Sequence, residues 1–196
     1  MGDDAGIRAL VLIAEGSEEI EAVTVIDILR RAQVDVIVAA VGSSKDIVCS
    51  RGVRLRADDL LSEIPHPAQV FQVICLPGGL KGAQTFANSS VVQQLLKEFE
   101  AKGKVIAAMC ASTTALLAAQ VGKGLKVTSY PMFREKLQSF YQYQEDPVVI
   151  DGNFVTSRGP GTAMAWALAI IRVLLGSTAM HNVAGSLILM FSPFTG

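Results

Sequence analysis

Cys110 ends an apolar run, Val105-Ile-Ala-Ala-Met109, and small residues follow at once in a helix-period segment, Ala111-Ser-Thr-Thr-Ala-Leu-Leu-Ala118. A continuous apolar run reads as a strand buried on both faces, so the cysteine falls at a strand-to-helix corner. Such a corner presents a nucleophile beside the unpaired N–H groups and positive dipole end of the helix, which favours thiolate over thiol. Ala108 and Ser112, two residues to either side, leave room for the turn. Taken alone, the stretch equally fits an ordinary buried cysteine, since free cysteine is among the most buried residue types.

Two other places bear on that choice. Glu21 heads a stripe of Val25, Ile28 and Ala32 at helical spacing, so its carboxyl points into the fold, while Glu18 and Glu19 read as first-turn acids that favour the helix dipole. Gly78-Gly79 follows the apolar run Val70–Leu76 and can turn backbone N–H groups toward a ligand. Glu21, Gly78-Gly79 and Cys110 each come after the carboxyl end of a different strand, where open parallel sheets bind ligands. Cys75 lies inside an apolar strand and Cys49 in a connection. His66, between two prolines, and His181, in the last helix, are poorly placed as bases for the thiol. Glu21 is then the expected partner, the pair sharing a proton as protonated Glu21 and thiolate. Lowering a thiol pKa from ~8.5 to ~5.5 corresponds to about 4 kcal/mol of thiolate stabilisation. The N–H groups of Ala111 and Gly79 are candidate oxyanion donors.

The elements that must position these groups follow from periodicity. Ile7–Ala14, Val34–Val41, Val70–Leu76 and Val105–Met109 read as buried strands. Helices are expected from a Ser17 cap to about Ala32, from an Asp58 cap to Ile64, from the capping-box pattern Ser90-Val-Val-Gln93 to Gly103, and from Cys110 to near Gly122. The first is apolar almost all round, which implies burial by the core and by a partner chain. Val53, Leu55 and Ala57 alternate with Arg54 and Arg56 as a half-exposed edge strand, and Lys126–Ser129 is a short strand before Pro131 opens a further helix. Val148–Ile150 and Phe154–Thr156 form a hairpin around Asp151-Gly152 with a type I′ turn. Ser157–Thr162 leads into an apolar helix, Ala163–Leu175, stopped by Gly176. Thr178–Met190 reads as one more helix, and Phe191–Gly196 as a tail. Alternating strands and helices imply one α/β domain over residues 1–196, with its core at about 7–190 and a mainly parallel, doubly wound sheet.

Composition narrows the classes. With 196 residues, 51% hydrophobic, 18% charged and a net charge of −1, the chain fits a compact soluble domain without the basic footprint of a nucleic-acid binder. Three cysteines without a CxxC or Cys/His cluster argue against a disulfide framework and a metal site, and point to a reducing, cytoplasmic setting. The N-terminus is not a secretory signal, Gly6 spoils a myristoylation motif, and Ala163–Leu175 is too short to span a bilayer and contains Arg172, so no membrane contact is expected.

The motifs Gly16-Ser-Glu-Glu-Ile-Glu21-Ala-Val, Cys49-Ser-Arg51, Leu76-Pro-Gly-Gly79 with Gly82-Ala-Gln84, Ala107-Ala-Met-Cys110-Ala, and Thr156-Ser-Arg-Gly-Pro-Gly-Thr162 together resemble the ThiJ/PfpI superfamily, in its parkinsonism-associated deglycase branch. The resemblance covers nearly the whole chain. It implies a flavodoxin-like three-layer sandwich with a nucleophile elbow, and a homodimer formed partly through the first helix. Cys110 would be the reactive, oxidation-sensitive thiol, with Glu21 its protonated partner and Gly79 and Ala111 the backbone donors. Arg51, and Arg31 from this chain or its dimer mate, would bind anions near the thiol, with Gly78 and Tyr130 also at the substrate site. The implied activity is cofactor-independent glyoxalase or deglycase chemistry on methylglyoxal, glyoxal or their early protein adducts. The alternatives are a redox sensor or chaperone and a purely structural module. Two positions depart from the pattern. Tyr130-Pro131 stands where animal members carry His-Pro, and a phenol is no base near neutral pH. Cys110-Ala-Ser-Thr replaces the usual Cys-Ala-Gly/Ala-Pro, adding hydroxyls that can make polar contacts. Ala111, where PfpI-type proteases have histidine, argues against proteolysis.

Overall fold

A computed structural model describes residues 6–189. In chain order the elements are β1 (Arg8–Ile13), α1 (Glu19–Arg31), β2 (Asp35–Ala40), β3 (Asp46–Val48), β4 (Arg54–Arg56), β5 (Asp59–Leu60), α2 (Pro67–Val70), β6 (Val73–Leu76), α3 (Leu80–Asn88), α4 (Ser90–Ala101), β7 (Val105–Met109), α5 (Thr113–Ala119), β8 (Lys126–Val127), α6 (Arg134–Leu137), β9 (Gln142–Tyr143), β10 (Val148–Asp151), β11 (Phe154–Ser157) and α7 (Ala163–Ser186). Seven strands form one sheet in the order β10-β11-β7-β6-β1-β2-β5, parallel throughout except for the β10–β11 hairpin.

The period-2 alternation of the apolar strands divides the core into two layers. Ala9, Val11, Ile13, Val73, Cys75, Ala107 and Met109 face α1 and α7, where Trp166 is fully buried and donates Nε1–H to the Val155 carbonyl at 3.1 Å. Leu10, Leu12, Ile74, Leu76, Ile106 and Ala108 face the opposite layer, with Phe86, Leu96, Phe99 and Leu116. This is the flavodoxin-like three-layer sandwich expected from the sequence. From β1 the chain moves outward to β2, whereas from β6 it moves to β7 on the other side. The topological switch therefore lies between β1 and β6, and their carboxyl ends lead into the Gly16–Glu21 and Pro77–Gly79 turns.

Several local expectations are corrected. Ser17 does not cap α1: its Oγ accepts from the Ala14 N–H, and the cap is Glu18, whose carboxylate accepts from the Glu21 N–H at 2.8 Å. Ile20 and Val23 of α1 are exposed on this chain, whose core covers the opposite face through Ala22, Val25, Ile28 and Leu29. Residues 53–57 contribute not to the edge of the main sheet but to a separate antiparallel pair, β3–β4. Asp58 caps no helix; its Oδ2 accepts from the Val38 N–H, and β5 follows as the true edge strand. The helix α3 was not anticipated, and α4 is capped by Ser89 rather than Ser90. In the β10–β11 hairpin only Gly152 of the two turn residues has positive φ, so the turn is not type I′. Lys126–Val127 pairs with β9, outside the main sheet. Gly176, at φ 85° and ψ 173°, breaks α7 as foreseen, and a second helical half continues to Ser186. Met190 and the expected tail lie outside the described residues. The stretch Pro160–Ser186 is long and apolar enough to cross a membrane by length and composition, but its first half is packed in the core and Gly176 interrupts it.

Candidate active site

The apolar β7 delivers Cys110 to the first position of a tight 3-10 turn, Cys110–Ser112, that runs into α5. Cys110 has φ 58°, a left-handed conformation that costs a non-glycine residue energy and marks a nucleophile elbow. The hydroxyls after it face inward and brace the corner. Ser112 Oγ donates to the Pro77 carbonyl, Thr113 Oγ1 to that of Thr128 and Thr114 Oγ1 to that of Ala111.

Glu21 is fully buried, and its Oε2 accepts from the Gly78 N–H at 2.5 Å. Oε1 has no nitrogen or oxygen partner among the described residues. Gly78 is the point where the acid and the thiol converge. A Cβ there would lie 2.6 Å from Glu21 Oε2, 2.6 Å from Cys110 Cβ and 3.1 Å from Cys110 Sγ. Gly79 has φ 89°, and a Cβ on it would strike the Gly16 carbonyl, so glycine is required on both counts. The Glu18 N–H donates to the Gly78 carbonyl at 3.0 Å and ties this turn to the start of α1.

Burial pushes the Glu21 carboxyl up to about 7; the Gly78 N–H and the Cys110 thiol oppose this, and the Glu18 charge adds to it. Burial also pushes the Cys110 thiol up, to about 12. The Glu21 charge raises it further, the Ala111 and Gly79 N–H groups pull it down, and the hydrogen bond with Glu21 raises it. The direction is opposite to the lowered thiol pKa expected from the sequence, because burial and the Glu21 charge outweigh the Ala111 and Gly79 N–H groups. The pair loses its first proton near neutrality and holds the second far longer. In between it carries one negative charge and one proton, written either as carboxylate with thiol or as carboxylic acid with thiolate.

Cys110, 9% exposed, opens onto a cleft of about 540 Å3. Gly79, Ala111, Arg51 and Tyr130 line it with Cys110, while Glu21 and Gly78 stand behind the sulfur. The Tyr130 N–H donates to the Cys110 carbonyl at 3.3 Å, and its ring packs on Gly159. Arg31 is not brought to this chain's own cleft. It ends α1, roughly 15 Å along the helix from Glu21, where its Nε donates to Asp27 Oδ2 at 2.7 Å. Cys75 is sealed in the sheet, and Cys49 lines the cleft but is buried. Leu80, Lys81, Met132 and Phe133, which no sequence motif marks, also wall the cleft, and Glu19, placed by sequence as a dipole acid of the first turn, holds the 50–53 loop. Among the described residues no group of three His, Cys, Asp or Glu side chains could hold a metal ion.

The DJ-1/PfpI family model matches residues 7–173. The Parkinson disease protein 7 homolog of Danio rerio is 42% identical over 187 residues, 94% of this chain and 98% of that protein. The glutathione-independent glyoxalase DJ-1 of Schizosaccharomyces pombe is 33% identical over 189 residues, 92% of this chain and 98% of that one. Among solved structures, Drosophila melanogaster DJ-1beta superposes with a TM-score of 0.90 at 40% identity, covering 95% of this chain and 100% of that one.

Proposed function

The chain belongs to the DJ-1/PfpI family, and on that premise we propose that it is a cofactor-independent glyoxalase and deglycase that acts on methylglyoxal, glyoxal or their early protein adducts through Cys110. The observation that carries the reading is geometric: the fully buried Glu21 carboxyl and the Cys110 sulfur converge over Gly78, and Cys110 is held in a left-handed elbow. The glyoxalase name of the fission-yeast relative supports the same chemistry.

In this reading Cys110 adds as thiolate to the aldehyde carbon, and the oxygen of the hemithioacetal takes up a proton. Glu21, as carboxylate, removes the hydrogen of that carbon as a proton and returns it to the adjacent carbon, while the hydroxyl proton of the hemithioacetal passes to the former keto oxygen. The adduct becomes the thioester of a 2-hydroxy acid, and water hydrolyses it to the free acid and the thiol. The sum is addition of one water, with no external oxidant or reductant. Tyr130 is a hydrogen-bond donor on the cleft wall rather than a base. The exposed Ile20 and Val23 on α1 support a homodimer, and three free thiols fit a reducing, cytoplasmic setting. The test is lactate yield: product in large molar excess over wild-type protein, and none from Cys110→Ser or Glu21→Gln, supports the enzyme. Consumption of one methylglyoxal per thiol would overturn it.

A redox reading of the same thiol is favoured by one feature, the Glu21 Oε1 that has no nitrogen or oxygen partner beside the sulfur. Two equivalents of peroxide would convert the thiolate to a sulfinate with release of two waters, and protonated Glu21 can donate to a sulfinate oxygen. Intact mass after mild peroxide treatment decides it: a two-oxygen adduct on Cys110 is expected, and its absence removes the reading.

A further inference from the structure

Beside the cysteine pair, one buried carboxylate has a fixed set of partners that the proposed reaction does not use. Glu19 is 7% exposed and stands two residues before Glu21 on α1. Side chains at i and i+2 of a helix point about 200° apart, so the turn that aims Glu21 at the sulfur aims Glu19 elsewhere. Its target is the connection between β3 and β4. Glu19 Oε2 accepts from Ser50 Oγ at 2.7 Å, and Oε1 accepts from the Arg51 N–H at 2.8 Å and the Val53 N–H at 3.5 Å. The Ser50 N–H donates to the Ser17 carbonyl at 2.9 Å, and the Cys49 N–H to the Val53 carbonyl at 2.8 Å. Burial opposes ionisation of Glu19, but the bonds from Ser50, its own N–H, Arg51 and Val53 outweigh it and hold the carboxyl below the usual carboxylate range. It is therefore charged at neutral pH and ready to accept from all three donors.

This connection forms one wall of the cleft through Cys49, Ser50 and Arg51. We propose that Glu19 is a positioning residue, which locks the 49–53 loop to the first turn of α1 and so sets Arg51 at the cleft and keeps Cys49 covered. One turn of helix thereby carries both the proton partner of the thiol and the anchor of the opposing wall. Only the kinetic consequence of the proposal rests on the glyoxalase reading; the loop lock does not.

The test is labelling of Cys49 by N-ethylmaleimide, read by peptide mass spectrometry, with Cys75 in the sheet core as internal reference. Cys49 is 4% exposed in the locked loop. Burial and the charges of Glu19, Glu18 and Glu15 push its thiol up to about 11, so loss of charge must be separated from loss of anchoring. Glu19→Gln removes the charge and keeps an acceptor, whereas Glu19→Ala removes both. Glu19→Ala is expected to label Cys49 about tenfold faster, while Glu19→Gln stays within about threefold of wild type and Cys75 remains unlabelled in both. In methylglyoxal turnover, Glu19→Ala raises KM about fivefold and affects KM more than kcat. Continued protection of Cys49 in Glu19→Ala overturns the proposal. So do equal rates in the Ala and Gln variants, and so does a parallel rise at Cys75, which would mean general loosening. If wild-type protein turns over no methylglyoxal, the glyoxalase reading fails while the labelling still decides the lock.

Discussion

The Glu21 carboxyl and the Cys110 thiol meet over the bare backbone of Gly78, whose N–H donates to the carboxyl at 2.5 Å. Burial raises the pKa of both groups, the Glu21 charge raises that of Cys110 further, and the Cys110 thiol lowers that of Glu21. Their behaviour is that of one site with two protons to lose.

The first prediction is the pH profile of Cys110 reactivity. Below about 7 both groups are protonated and the pair is neutral; above it the pair carries one charge that the sulfur can use. Alkylation by iodoacetamide is therefore expected to rise about tenfold per unit as pH approaches 7 from below, then level off. In Glu21→Gln no carboxylate can take the thiol proton and burial remains, so the inflection moves upward. Rates followed by peptide mass spectrometry check this, and an inflection near ~5.5 would instead mark an independently acidic thiol.

Gly78→Ala is the second. The φ of Gly78 is not positive, so the cost comes wholly from crowding by Cys110 Cβ and Glu21 Oε2 at 2.6 Å. Stability should fall by about 1–3 kcal/mol, as in other overpacked cores. Activity should fall more than stability explains, by about tenfold or more in kcat/KM, because separating thiol and carboxyl breaks the proton relay. Gly161→Ala, with nothing within 4 Å of the new methyl, is the control. Denaturant unfolding and steady-state kinetics on both variants make the comparison.

Tyr130 supports the third. Its N–H is spent on the Cys110 carbonyl, which any residue but proline can do, and a phenol serves as a hydrogen-bond donor rather than as a base. Tyr130→Phe should leave the shape of the pH–rate profile alone. Tyr130→His places an imidazole on the cleft wall and should raise kcat with a new limb near pKa ~6.5. A profile change in Tyr130→Phe would show the phenol to be part of the chemistry.

Much of this arrangement was legible in residue order. The apolar run into Cys110 and the glycines after Val70–Leu76 placed two strand ends, and the stripe Glu21-Val25-Ile28 aimed the carboxyl inward. What escaped depends on contacts between distant segments. Leu80–Asn88 carries Gly82 and no cap ahead of it, since Gly79 starts the helix for packing reasons against Gly16 and Ser17. Asp58 has the type of a helix cap, but the Val38 N–H claims it. Glu18 and Glu19 look alike in sequence and do different things: one caps α1 and the other holds the 50–53 loop. The thiol's raised pKa was illegible too, because it follows from burial of the pair rather than from the corner's own N–H groups.

The last prediction concerns stability. A folded-state carboxyl pKa of about 7 against an ordinary 4.5 means that the native protein binds more protons than the unfolded chain between those values. Stability due to Glu21 is then greatest below about 4.5, declines as pH rises through about 7, and stays low above. The magnitude is about 3 kcal/mol, from 1.36 kcal/mol per pKa unit. Glu21→Gln keeps an acceptor for the Gly78 N–H and cannot ionise, so it escapes this loss. Relative to wild type, the variant should gain about 3 kcal/mol between roughly pH 4.5 and pH 8, whatever its absolute stability. Urea unfolding of both proteins at the two pH values gives the difference directly. A constant difference would mean that Glu21 keeps one charge state across the range, and the shared proton between Glu21 and Cys110 would have to be abandoned.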